Sequence, residues 1–224
     1  MKLVFLGDSL TWGGYGGDFV GEAARRLPQH TVVNAGVGGN TVLNLLRRLD
    51  DVLAQRPDGV FVMVGGNDAI SYSQPATRRY YETRQGIPGG VVTPDQFAAG
   101  YRDLLTRLQL ARVLAWVGLP PVEYSAPVVA AVQQYNDLAR AAAQSLNIPV
   151  LDLAAAFGCG PLVDRPELDQ DAINLIGKRV RAGWDDYARE QKAGGFAYTF
   201  DGLHFTPEAA ARCGALVASF VQAG

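Results

Sequence analysis

Histidine is the scarcest chemistry in this chain: His30 and His204 are the only two among 224 residues. A serine nucleophile that needs an imidazole base must therefore use one of them. Cysteine is as scarce. Cys159 and Cys213 lie far apart and show no C-x-x-C spacing, so the chain carries neither a disulfide framework nor a clustered zinc signature, and its cysteine usage fits a reducing compartment. With so few soft ligands a transition-metal site would have to be built mostly from carboxylates, and no metal or other cofactor is expected.

Excess positive charge is missing too, with 20 Lys and Arg against 22 Asp and Glu for a net charge of −2. Nucleic acid is therefore not an expected partner, because phosphate affinity comes mainly from clustered Lys and Arg. No apolar run approaches the roughly 18 residues of a membrane span. Met1 and Lys2 lead straight into a strand-like run with no leader before it, which makes the cytoplasm the default location, although a mature secreted form would read the same way. Internal repeats and low-complexity tracts are absent. So are three familiar signatures. No G-x-S-x-G elbow occurs, "GVGGNT" lacks the third glycine of G-x-G-x-x-G, and Gly177 with Lys178 lacks the upstream glycine of a P-loop.

What is present is 48% hydrophobic, enough for one sizeable core, and one domain over 1–224 is the expectation. Strand-like apolar runs at Leu3 to Leu6, Thr31 to Asn34, Val60 to Val64, Arg112 to Val117 and Ile148 to Leu151 alternate with stretches of helical period. Those stretches are Phe19 to Leu27, Val42 to Leu53, Pro94 to Leu108 and Pro127 to Leu146. A last helix runs from Ala209 to Val221, with Thr206 as N-cap and Pro207 in its first position. The rhythm predicts an α/β fold, a flavodoxin-like three-layer α/β/α sandwich on a central five-stranded parallel sheet. Two segments break it, Ser71 to Thr93 and Ala154 to Phe200. The second holds a predicted helix from Pro166 to about Arg181, and both are expected as excursions over the active-site face.

Ligands of such sheets bind beyond the carboxyl ends of the strands. The first strand ends in "GDSL", the second in "NAGVGGN", the third in "VGGND". Asp8 and Ser9 in the first turn can cap the next helix, or Ser9 can be a nucleophile. Asn67 in "GGND" is either a turn residue or an uncharged donor. His30 starts a strand and so lies at the opposite edge from Ser9, whereas His204 sits in "DGLH" three residues after Asp201, close enough to share a loop with an acid that orients it. Asp8 and Asp68 read as structural, tying down loops through backbone amides.

These four motifs, in this order, resemble the GDSL or SGNH hydrolase family, and the resemblance spans Ser9 to His204. It implies the SGNH hydrolase fold, with Ser9 as nucleophile, His204 as base held by Asp201, and an oxyanion hole built from the Ser9 amide, the Gly39 amide and the Asn67 side chain. Gly39 is chosen over its neighbouring glycines because it stands five residues after Asn34. The expected activity is hydrolysis of carboxylic esters on a small-molecule substrate, with acetyl or other small acyl groups, on a carbohydrate for instance. A lysophospholipase or thioesterase is the alternative within the class, and a non-catalytic flavodoxin-like binding module the alternative outside it. Tyr80, Tyr81 and Trp184, on the excursions, are expected to contact substrate. Oligomeric state is not legible.

Overall fold

The structure, a computed structural model, describes residues 1–158, 160 and 162–223. Five parallel strands form its sheet: β1 (Lys2–Gly7), β2 (Thr31–Gly36), β3 (Gly59–Met63), β4 (Leu114–Leu119) and β5 (Val150–Asp152), in the order β2-β1-β3-β4-β5. β1 and β3 are buried on both faces, so they read as unbroken apolar runs rather than alternating ones. Alternation survives in direction. Val4, Leu6, Val60 and Val62 point into one core layer, and Leu3, Phe5, Phe61 and Met63 into the other.

The helices are α1 (Ser9–Trp12), α2 (Phe19–Arg26), α3 (Val42–Arg47), α4 (Leu49–Ala54), α5 (Gly66–Ser73), α6 (Arg78–Gln85), α7 (Pro94–Leu110), α8 (Ala126–Ser145), α9 (Leu153–Phe157), α10 (Gln170–Arg181), α11 (Tyr187–Gly194) and α12 (Pro207–Ala223). α3, α4, α7 and α8 cover the first face; α2, α9 and α12 cover the second. Thr206 caps α12, its hydroxyl accepting the Ala209 amide at 3.2 Å. Among the described residues, no helix is long and apolar enough to cross a membrane. Cys213 is a buried free thiol in the second layer, while Cys159 lies outside the described residues.

Three of the boundaries that depart from the sequence pattern do so for a visible local reason. The predicted helix from Val42 to Leu53 is two helices, because Arg48 takes φ −109° and ψ 11° between them. β4 begins at Leu114 rather than Arg112, since Arg112 holds φ +58° in the turn that closes α7. α10 begins at Gln170 rather than Pro166: Asp169 is its N-cap, accepting the Ala172 amide at 2.7 Å, and the Pro166 carbonyl is engaged outside the helix by the Tyr124 hydroxyl at 2.9 Å.

Candidate active site

β1 delivers Gly7, Asp8 and Ser9 to the point where the strand order reverses, between β1 and β3, the usual ligand position in an open parallel sheet. The two readings of this turn divide between its two polar residues. Asp8 is the cap, its Oδ1 accepting the Leu10 amide at 3.0 Å. Ser9 turns elsewhere, with Oγ 3.0 Å from His204 Nε2.

His204 reaches Ser9 from a narrow loop closed by the Thr199–Phe205 bridge and by Phe200 N–H donating to the His204 carbonyl at 3.0 Å. Asp201 organises the inside of that loop. Its Oδ1 accepts the amides of Leu203 and His204 at 2.9 and 2.7 Å, and its Oδ2 lies 2.7 Å from His204 Nδ1. A carboxylate beside Nδ1 places the ring proton there, leaving Nε2 as an acceptor toward the Ser9 hydroxyl. Burial opposes the imidazolium, but the charge and hydrogen bond of Asp201, with a smaller contribution from Asp8, leave the His204 pKa above its ordinary value. Burial likewise opposes the Asp201 carboxylate, and His204 with the two loop amides more than offsets it, so the Asp201 pKa lies below the usual range. Tyr15 packs edge-on against the imidazole and Phe200 stacks along it.

A buried carboxylate anchors the loop from outside. Glu123, just past β4, accepts the amides of Ala197, Tyr198 and Thr199 and the Thr199 hydroxyl at 2.7–2.9 Å. Nothing in the sequence marks this glutamate, because its partners are backbone groups about 75 positions away.

Gly39 and Asn67 come to the same place from the ends of β2 and β3. Gly39 holds φ +79°, and a Cβ there would run into the Gln85 amide and the Tyr80 hydroxyl, so only glycine fits. Among the described residues, the N–H groups of Ser9 and Gly39 donate to no protein acceptor. Asn67 Nδ2 lies 3.3 Å from Asp8 Oδ2 and 3.2 Å from the Asn40 carbonyl, both long contacts, while Asn67 Oδ1 accepts the hydroxyl of Tyr81 at 2.9 Å. Behind them, burial lifts the Asp8 pKa to about 6 and the Asp68 pKa to about 8. Asp68 ties the start of α3 to α5 by accepting the Val42 amide at 3.0 Å.

Ser9, Asn67 and His204 open into a cleft of about 510 Å³. One part of its wall is apolar, with Ile70, Val122, Val132, Leu168, Ile173 and Leu203; another carries Arg179 paired to Glu190 at 2.8 Å. The three aromatic residues expected at substrate are placed differently. Tyr80 lines the cleft. Tyr81 lines it as well, with its ring buried and its hydroxyl on Asn67. Trp184 is not part of the wall: its ring is taken up by the Arg179 guanidinium at 3.7 Å and by Tyr187 and Phe200.

Residues 5–212 match the model of the GDSL-like lipase/acylhydrolase family. An acetylxylan esterase of Geobacillus stearothermophilus is 29% identical over 181 residues, covering 70% of this chain and 77% of that protein. Among solved structures, the lipase/acylhydrolase from Enterococcus faecalis superposes with a TM-score of 0.67 at 22% identity, over 99% of this chain and 95% of that one. The acetyl xylan esterase AlAXEase does so with a TM-score of 0.65 at 22% identity, over 98% of each chain. Both have the same fold as this chain.

Proposed function

The chain belongs to the GDSL-like lipase/acylhydrolase family and is a serine esterase, and from that premise we propose that it hydrolyses small acyl esters through an acyl-enzyme on Ser9. The observation that carries the reading is the line of contacts Ser9 Oγ, His204 Nε2, His204 Nδ1 and Asp201 Oδ2, at 3.0 and 2.7 Å. His204 takes the Ser9 proton as Oγ attacks the ester carbonyl carbon, and the carbonyl oxygen becomes an oxyanion. The uncommitted amides of Ser9 and Gly39 and the Nδ2 of Asn67 receive that charge, which is where fixed donors lower a barrier most. The imidazolium then returns the proton to the leaving alkoxide, which departs as the alcohol. Water, deprotonated by His204, attacks the acyl carbon; the imidazolium returns that proton to Ser9 Oγ as the Oγ–acyl bond breaks, and the acyl group leaves as the carboxylic acid.

Acetyl groups on a carbohydrate are the substrate proposed, supported by the likeness to an acetylxylan esterase. The apolar wall from Ile70 to Leu203 favours a second reading, a longer acyl chain of the kind a lysophospholipase or thioesterase removes. Rates on p-nitrophenyl esters from acetyl to palmitoyl, and on acetylated xylo-oligosaccharides, decide between them. The first reading expects kcat/KM to fall as the chain lengthens and acetate to be released from the oligosaccharide. A maximum at eight or more carbons replaces it with the second, and no turnover of any ester overturns both.

A further inference from the structure

One charged side chain beneath the site is not accounted for by the chemistry above. Arg48 stands where α3 breaks from α4, half-buried, and its guanidinium reaches back under the ends of β1 and β2. Nε donates to Asn40 Oδ1 at 2.9 Å, and Nη2 donates to the Gly7 carbonyl at 2.9 Å. Gly7 lies two residues before Ser9, and Asn40 directly follows Gly39. One rigid fork thus holds both turns that carry the proposed oxyanion amides.

The third donor is tied into the same frame. The Asn40 carbonyl accepts Asn67 Nδ2 at 3.2 Å, and Asn40 Nδ2 donates to Gln85 Oε1 at 3.3 Å. Gln85 Nε2 in turn donates to the Gly38 carbonyl at 3.2 Å, so the turn is held from both sides. Arg48 has no carboxylate within ion-pair distance among the described residues; Asp8 acts on it only at longer range. A half-buried cation spent on two neutral carbonyl oxygens loses hydration without a direct counter-charge, a poor way to gain stability alone. Its planar fork is suited to fixing the spacing of two acceptors, which a lysine ammonium is not.

We propose that Arg48 is a positioning residue for ester hydrolysis: it sets the spacing of the Ser9 turn and the Gly39–Asn40 turn so that their donors converge on the oxyanion of the transition state. The inference rests on the reading of Gly39 and Asn67 as oxyanion donors. Misplacement by about 1 Å can cost on the order of 100-fold in rate. The cost should fall on kcat, because the bound ester needs the convergence less than the tetrahedral species does.

The test is steady-state kinetics on p-nitrophenyl acetate for Arg48→Met, Arg48→Lys and Arg48→Ala, with melting curves on the same preparations. Expected is a fall in kcat of about 10- to 100-fold with KM within about twofold. Arg48→Lys should not recover the rate, and added guanidinium should raise kcat of Arg48→Ala several-fold while methylammonium does not. Binding of an alkyl boronic acid, which forms a tetrahedral adduct with the serine, should weaken in proportion to the loss of kcat/KM. Should the arginine variants fail to fold, Asn40→Ala carries the test, since it removes one acceptor and leaves the other, and it should show the same split. Wild-type kcat in folded arginine variants, or a lysine variant as fast as wild type, overturns the proposal. Asn67→Ala run beside them separates the two ideas: if it loses kcat and the Arg48 variants do not, the positioning role alone fails, whereas an unchanged Asn67→Ala removes the oxyanion reading beneath it.

Discussion

The Tyr81 hydroxyl stands 2.9 Å from Asn67 Oδ1, and the two acceptors at Nδ2, Asp8 Oδ2 and the Asn40 carbonyl, fix that orientation of the carboxamide. The reverse orientation would set the amide oxygen against Asp8 Oδ2 and the Asn40 carbonyl, two acceptors, and turn the NH2 toward the tyrosine. A donor toward the nucleophile is therefore the arrangement the surroundings select.

On the proposed oxyanion role, Asn67→Ala should lower kcat on the order of 10²-fold with little change in KM, since such a donor acts on charge that develops only in the transition state. Tyr81→Phe keeps the buried ring and removes only the hydrogen bond, worth about 1 kcal/mol, so a fall in kcat of about fivefold with the same split is expected. Kinetics and melting curves measured together check both. Full activity with a lowered melting temperature would return Asn67 to the role of a turn residue.

On the proposed mechanism activity should appear as pH rises, because the base it assigns is neutral His204, whose pKa lies above the ordinary imidazole value. Asp201→Asn keeps the burial and removes the compensating charge, so the inflection should move to lower pH and the plateau drop by about 10²–10⁴-fold. Profiles of kcat/KM between about pH 5 and 9 for both proteins test this. An inflection that stays in place in the variant would detach Asp201 from the titration.

A sulfonyl fluoride should modify Ser9 ahead of every other serine, since His204 Nε2 is the base placed to activate it. Peptide mapping should find a single adduct at Ser9, none in Ser9→Ala, and slow formation in His204→Ala. An adduct elsewhere in the wild type would remove the acyl-enzyme.

Asp68→Asn should stabilise the fold at alkaline pH. The folded-state pKa of about 8 lies above the ordinary value of 3.8, so the contribution of Asp68 is full below about pH 4, is lost as pH rises from there to about 8, and levels off beyond. Asparagine still accepts the Val42 amide through its oxygen and never ionises. At pH 9 the variant should melt about 4–8 °C higher, the shift roughly 2 kcal/mol gives in a chain of this size. Below about pH 4, where Asp68 is protonated in the folded and the unfolded chain, the two should show no pH-dependent difference, and a parallel pH dependence above that would mean that Asp68 is not the group that titrates.

Much of this architecture is legible in the residues because it is local. A buried parallel strand must be apolar and must end in a turn, so the five strand positions, the glycine clusters after β2 and β3, and Ser9 at the end of β1 follow from short stretches. Asp201 and His204 are legible together because they share one loop. The supporting groups are not, since each acts over distance on backbone or amide atoms. Glu123 serves amides about 75 positions away, Arg48 serves the carbonyl of Gly7 41 positions away, and Tyr81 meets Asn67 only because α6 folds back beneath α5. The aromatic residues of the excursions share one composition in the sequence, and packing alone separates Tyr80 and Tyr81 in the cleft wall from Trp184 outside it.

Ser9 and His204 stand 195 positions apart and touch at 3.0 Å. On the ribosome the first emerges 195 residues before the second, which comes just before the helix that closes on α2. On the proposed mechanism a growing chain exposes a serine of ordinary reactivity until His204 reaches it. Covalent labelling of Ser9 in timed refolding or in arrested chains would thus act as a clock, one that starts only when the two ends of the sequence have met.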